Sequence, residues 1–268
     1  METIHDKELS LFTHWTERSI QLGEGDNLAE DGLLYRGKPT STEDKGIFYW
    51  GTNPANEEEL WNNADKRLLI ITKDLNNKEK DGSIADAWDI RVETGFKNTV
   101  YNEYDYESCI PFYKRLRMWS YGLLNTTEDG NYPSYETVRD QDISGPFYLK
   151  APIARINCKK QCGVNTIPEG VLLKYLENYK DLLVEQIKLY HKADIIFCGA
   201  ASGCIKDFIK DNVIKDLQEV EGTGNWIYYS PSTDTVIING YHPTSRTSYE
   251  NVYNEMMEAY SFFVKNKK

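Results

Sequence analysis

Polar side chains able to move a proton or read a hydrogen-bonding edge follow each apolar run in the second part of this chain. Arg67-Leu-Leu-Ile-Ile-Thr72 runs into Lys73-Asp74-Leu75-Asn76, and Pro152-Ile-Ala-Arg-Ile-Asn157 runs into Cys158-Lys159-Lys160. Asp194-Ile-Ile-Phe-Cys-Gly199 runs into Ala200-Ala201-Ser202, and Thr235-Val-Ile-Ile-Asn239 leads to Tyr241-His242-Pro243-Thr244-Ser245-Arg246. A carboxylate can accept or give up a proton, an imidazole can do either near neutral pH, and an amide can donate and accept hydrogen bonds at once. If the runs are parallel strands, Asp74, Asn157 and His242 converge on one crevice beyond their carboxyl ends. Each residue also has an ordinary structural role open to it. An Asp after a strand caps a helix or forms a turn, an Asn at a strand end satisfies a loop, His-Pro makes a turn, and Lys159-Lys160 fits a solvated surface. Their joint occurrence at successive strand ends is what points to a site.

The elements that must position these residues are legible in the hydropathy pattern. The runs are nearly unbroken in aliphatic residues, as strands buried on both faces are. Leu172, Leu176, Tyr179, Leu183, Ile187 and Tyr190 recur at helical spacing and predict one long helix between the second and third runs. Ile205, Phe208, Ile209, Val213 and Leu217 repeat that period after the third run. Val252, Met256, Tyr260 and Phe263 repeat it near the end, behind Thr247-Ser-Tyr-Glu250, which reads as a capping box. Strands alternating with helices predict a three-layer α/β sandwich with a central, mainly parallel four-stranded sheet. Trp226-Ile-Tyr-Tyr229 suits a short antiparallel strand leading into the fourth run. The stretch between Asp74 and Pro152 holds a helix around Pro111 to Leu124 and loops rich in Tyr and Asp. Residues 1–65 are polar and turn-rich, with short helices over Glu8 to Ile20 and Glu57 to Trp61. They carry too few aliphatics for a core of their own, so they read as an N-terminal elaboration packed on a main body spanning 66–268.

Composition narrows the functional classes. The chain has 268 residues, with 31 Lys+Arg against 42 Asp+Glu and a formal charge of −11. That balance argues against indiscriminate polyanion binding, although a local basic cleft is compatible with it. No apolar run approaches the roughly 18–20 residues of a membrane span, and the N-terminus lacks a basic flank and apolar stretch. These features predict a cytoplasmic protein with no membrane association. The five cysteines are scattered, and Cys158 and Cys162 have no second close Cys/His pair to complete four ligands. Neither a metal nor a cofactor is expected, and Cys198, ending an apolar strand, reads as a buried free thiol.

The ordered set of motifs resembles the uracil-DNA glycosylase superfamily. Its members carry a Gly-x-(Asp/Glu/Asn)-Pro-type motif after the first core strand and a His-Pro-Ser motif after the last, and some place a base-reading Asn at the end of the second. His242-Pro243-Thr244-Ser245 is the strongest match. Thr72-Lys73-Asp74-Leu75-Asn76 matches in part, with Thr72 in place of the Gly and Leu75 in place of the Pro. Together with Trp88-Asp89-Ile90-Arg91, the set looks most like a divergent branch covering roughly residues 66–264. The resemblance implies a base-excision glycosylase that hydrolyses the N-glycosidic bond of a flipped-out, uracil-like or damaged base in DNA. It assigns Asp74 to the sugar, His242 to the base oxygen and Asn157 to base reading. Trp88, with Phe96 and Tyr101, offers a face for stacking on the base. Lys159, Lys160, Ser245 and Arg246 lie where backbone phosphates would need donors. The leucine-type wedge that some members place after the His motif has no clear counterpart in Thr247-Ser248-Tyr249; Tyr249 stands nearest to it and also fits an amphipathic helix face. Two other readings stand beside this one: a noncatalytic nucleic-acid or nucleotide-binding module of the same fold, and an enzyme acting on a small nucleobase or nucleoside-like ligand.

Overall fold

The computed structural model describes residues 2–34, 39–41, 47–50, 54–75, 89–91, 93–98, 103–104, 111–148, 150–163, 167–200 and 202–267, with backbone alone at 39–41, 47–50, 54–56, 93–98, 103–104 and 141. In chain order the elements are α1 (Ile4–Gln21), β1 (Gly32–Leu33), β2 (Pro39–Ser41), β3 (Ile47–Trp50), α2 (Pro54–Asn63), β4 (Leu68–Thr72), β5 (Glu93–Asn98), β6 (Glu103–Tyr104) and α3 (Pro111–Leu124). They continue with α4 (Tyr135–Arg139), α5 (Gln141–Tyr148), β7 (Ile153–Asn157), α6 (Glu169–Asn178), α7 (Lys180–Leu189), β8 (Ile195–Gly199) and α8 (Cys204–Asn212). The last are β9 (Gln218–Glu219), β10 (Ile227–Ser230), β11 (Thr235–Gly240) and α9 (Tyr249–Asn266).

The four aliphatic runs form adjacent parallel strands in the order β7-β4-β8-β11. Their buried residues alternate between two cores, as the two-residue period of a strand requires. Leu69, Ile71, Ala154, Ile156, Ile196, Cys198 and Ile237 pack with α1, α6, α7 and α8 on one face. Leu68, Ile70, Ile153, Ile195, Phe197, Val236 and Ile238 pack with α3, α4, α5 and α9 on the other. The result is an α/β fold of three layers. Cys198 is a free, fully buried thiol in the first core.

The expected four-stranded sheet is in fact seven-stranded and mixed, in the order β1-β7-β4-β8-β11-β10-β9. β1 adds antiparallel to β7, and β10 adds antiparallel to β11 and carries β9. The physical reason lies at the edges: a bare parallel edge leaves a row of unpaired N–H and C=O groups, and short added strands cover it. A separate antiparallel sheet, β2-β3-β5-β6, joins the N-terminal segment to part of the tyrosine-rich stretch. Among the described residues, no helix is long and apolar enough to cross a membrane.

The helix expected over 172–190 is two helices, broken at Tyr179 (φ −117°, ψ 19°). The Tyr179 ring lies between Tyr175 at 4.8 Å and Trp15 of α1 at 5.7 Å, and its hydroxyl donates to Glu24 at 2.6 Å. At α9 the cap falls one residue later than expected: Ser248 accepts from the Asn251 N–H at 3.2 Å.

The N-terminal segment is tied to the body through buried polar contacts. Glu8 of α1 is fully buried and accepts from the Leu33 N–H at 2.9 Å, the Tyr190 hydroxyl at 2.5 Å and Arg91 at 2.9 Å. Burial pushes its carboxyl up to about 7, with Arg91 opposing the rise. β1 threads past this cluster at Gly32, where φ is +145° and an added Cβ would lie 2.3 Å from Glu8 Oε1 and 2.5 Å from the Tyr190 hydroxyl. Gly32→Ala should therefore destabilise the protein by about 3 kcal/mol in denaturant unfolding, from overpacking and an unfavourable φ together. Gly170→Ala, where nothing lies within 4 Å of the new Cβ, is the control and should leave stability unchanged or slightly raised. Equal midpoints for the two variants would contradict the close packing at Gly32.

Candidate functional site

The carboxyl ends of the parallel strands are in register, with Thr72 paired to Asn157 on one side and to Gly199 on the other. By strand alternation all three side-chain positions face the layer that contains α3 and α9. The Thr72 hydroxyl donates to Asn157 Oδ1 at 2.5 Å. The two segments stay paired past the sheet: Cys158 N–H donates to Thr72 O at 2.8 Å, Lys159 N–H to Lys73 O at 2.8 Å and Gly163 N–H to Leu75 O at 2.9 Å. Asp74 is therefore carried alongside the chain that follows Asn157. Its side chain is nearly buried, at 9% exposure, and has no hydrogen-bond partner among the described residues. Burial raises its pKa above the ordinary carboxylate value, while Lys159 and Lys73 pull it back.

Asn157 is held from behind by a buried ion pair. Its N–H donates to Asp31 Oδ2 at 2.7 Å, and its carbonyl accepts from Lys160 Nζ at 2.7 Å. Lys160 also donates to both Asp31 oxygens, at 2.6 and 2.8 Å, and to Gln186 Oε1 at 2.7 Å. Asp31, Lys160 and Gln186 are each fully buried.

The loop after β11 brings His242 to the same edge. A Cβ on Gly199 would lie 3.3 Å from Thr72 Cγ2 and 3.4 Å from Pro243 Cδ, so the loop packs directly over the ends of β4 and β8. Arg115 of α3, buried at 1% exposure, holds this loop. It donates to Pro243 O at 2.9 Å, to the Ser245 carbonyl and hydroxyl, and to Thr247 O at 2.5 Å. His242 Nδ1 accepts from the Thr244 N–H at 3.3 Å and lies 2.8 Å from the Thr244 hydroxyl. With Nδ1 the acceptor, the ring proton resides on Nε2, which is buried and has no partner among the described residues. Burial, with Lys73 and Arg115 nearby, lowers its pKa to about 4. Lys73 thus acts electrostatically on both Asp74 and His242.

The residues expected at phosphates are placed differently from one another. The Lys160 ammonium is fully buried in the pair with Asp31 rather than exposed at the strand end. The Ser245 hydroxyl is engaged by Arg115 at 3.0 Å and lies 2.8 Å from the Thr247 hydroxyl. Lys159 folds back onto the carbonyls of Gln161 and Cys162. Arg246 is exposed, with no ion pair among the described residues. Trp88 and Tyr101 lie outside the described residues, and Phe96 is described by its backbone alone. Tyr249 is half-buried beneath Arg115, 4.3 Å from its ring centroid, and so is packed rather than presented as a wedge.

Sequence reasoning missed Phe112, Arg115 and Asp31. Phe112, half-buried in the first turn of α3, lies 6.0 Å from the His242 ring, with Arg155 over its ring at 5.4 Å. Arg115 sits inside an apolar helical pattern, and the only signal for it was a charge on that face. The arrangement offers one nearly buried carboxylate, one neutral imidazole with a free donor and one anchored amide. Among the described residues, no group of three or more His, Cys, Asp or Glu is placed to hold a metal ion. Comparison with protein-family models and with curated proteins finds no match to the chain.

The imidazole makes a direct prediction. Nitrogen-15 NMR should show His242 as the Nε2–H tautomer at pH 7, titrating near 4 rather than 6.5. Because the unfolded chain takes up this proton first, His242 should make stability fall as pH drops from 6.5 toward 4. Titration near 6.5 would contradict the described environment.

Proposed function

We propose that the protein hydrolyses the N-glycosidic bond of a nucleobase held at this strand edge, as a DNA base-excision glycosylase does. The observation that carries the reading is the presence at one strand edge of a nearly buried carboxylate and a neutral imidazole with a buried Nε2–H, neither group having a hydrogen-bond partner there among the described residues. Breaking the bond between C1′ and a base nitrogen places positive charge on the sugar and negative charge on the departing base. Asp74 stabilises the sugar cation or orients the attacking water. His242 donates Nε2–H to the base oxygen as charge develops there, in a site shielded from water where such a bond is strengthened. Asn157 reads the base edge with an amide fixed by its surroundings, and the Phe112 ring lies 6.0 Å from the imidazole.

A second reading has a specific observation in its favour. Lys160 is sealed in an ion pair and the Ser245 hydroxyl is tied to Arg115, so phosphate donors expected at the strand ends are turned inward. That suits a small nucleoside-like ligand better than a nucleic-acid backbone. Salt separates the two, since each neutralised phosphate steepens the fall of affinity with salt and a neutral nucleoside gives almost no slope.

The test is single-turnover cleavage with saturating protein on oligonucleotides and nucleosides bearing normal, deaminated and damaged bases. Asp74→Asn should lower the rate by about 10²-fold or more with binding roughly intact, and His242→Ala by about 10²–10³-fold. Cleavage unchanged in Asp74→Asn would remove Asp74 from the mechanism. Binding without cleavage by the wild type would favour a noncatalytic module, in keeping with Thr72 and Leu75 standing where the resembled motif has Gly and Pro.

A further inference from the structure

We propose that Lys160 forms an intramolecular isopeptide bond with Gln186, with Asp31 moving the protons, so that the turn after β7 becomes covalently tied to α7. The inference does not rest on the nucleobase reading, since none of the three residues has a part in that chemistry. All three side chains are fully buried. Lys160 Nζ donates to Gln186 Oε1 at 2.7 Å and to the two Asp31 oxygens at 2.6 and 2.8 Å. Gln186 Nε2 donates to Asp31 Oδ1 at 2.8 Å. A single carboxylate oxygen thus touches both the nucleophile and the group that must leave. Because a C=O bond is about 1.2 Å long, Gln186 Cδ lies within about 3.9 Å of Nζ.

The surroundings favour the neutral, nucleophilic amine. Burial lowers the pKa of the Lys160 ammonium even though Asp31 opposes the change, and the acceptor for its proton is already in contact. The Trp15 and Phe12 ring centroids lie 4.7 and 5.7 Å from Nζ, so the pocket is walled by aromatic rings rather than open to water that would compete for the acyl carbon. The Asn157 N–H fixes the carboxylate from its other oxygen, at 2.7 Å. Reactants held this way by the fold need no encounter in solution. Gln186 rather than Asp31 is the electrophile, because an ionised carboxylate resists attack whereas the neutral amide carries a nitrogen that Asp31 can protonate.

The step balances without any outside reagent. Asp31 takes one proton from the ammonium, and the freed Nζ lone pair attacks Gln186 Cδ, sending the carbonyl pair to Oε1. When that pair returns, the Cδ–Nε2 bond breaks, Asp31 protonates Nε2, and ammonia departs. The new amide nitrogen sheds its second proton to Asp31, from which the ammonia removes it as ammonium. One C–N bond is exchanged for another and nothing is oxidised or reduced.

The experiment is intact-mass spectrometry of the full chain, kept native for days and then denatured, followed by tryptic mapping. The wild type should accumulate a species lighter than its sequence mass by one ammonia. The map should contain a branched peptide joining Lys160 to Gln186 that survives mild alkali, which opens an asparagine succinimide of the same mass change. Lys160→Arg and Asp31→Asn should both keep the full mass at these segments. A wild type that stays at its full sequence mass overturns the proposal whether or not either variant folds, and so does an ammonia loss that maps elsewhere. Loss of water with Lys160 joined to Asp31 contradicts Gln186 as the electrophile, and a Lys160–Gln186 branch formed in Asp31→Asn contradicts the role of the carboxylate.

Discussion

Lys160 and Asp31 are both withdrawn from water, and the attraction that offsets their desolvation exists only while β1 lies against β7. Burial alone lowers the pKa of the Lys160 ammonium, and Asp31 counteracts it with charge and hydrogen bonds. The ammonium also lies 4.7 Å from the Trp15 ring centroid, so α1 closes the pocket in which the pair sits. Gln186 of α7 satisfies remaining valences by accepting from Lys160 and donating to Asp31 at 2.8 Å. Removing either ion would strand the other in the core, a loss of about 3–5 kcal/mol. The polar N-terminal segment is thereby bound to the end of β7, and that end carries Asn157.

Two buried cations near the strand edge, Lys160 and Arg115, hold the protein's own chain. Lys160 holds the carbonyl of Asn157, and Arg115 gathers the carbonyls of Pro243, Ser245 and Thr247. Each carbonyl would otherwise be an unpaired acceptor in a loop packed over the sheet. The consequence is a strand edge whose polar groups are already oriented, His242 as an Nε2–H donor and Asn157 by both of its backbone groups.

The parallel sheet was legible because its strands are buried on both faces and read as unbroken aliphatic runs. α3 was equally plain, starting at Pro111 and ending after Leu124 as the pattern indicates. β1 was not legible, since two residues carry no periodicity and its pairing depends on Gly32 passing Glu8 and Tyr190. Lys159 and Lys160 look alike in sequence, yet one reaches the loop surface and the other the core. What separates them is the Asp31 carboxylate, which lies more than a hundred residues away in the chain and is brought near only by tertiary pairing. Thr247 has the right type for a helix cap, but its carbonyl answers to Arg115 and the cap passes to Ser248. Local propensity lost each time to a long-range polar contact.

Whether the ion pair orders Asn157 can be read from hydrogen exchange at the Asn157 backbone amide. The informative protein is Asp31→Leu combined with Lys160→Met, which replaces the pair with apolar side chains and should keep most of the global stability. In the wild type this amide should exchange as slowly as those of the central strand β4. In the double variant it should exchange through local opening, faster by orders of magnitude, while β4 stays protected. Protection of Asn157 that persists undiminished in a stable double variant would contradict the dependence of the strand edge on this pair.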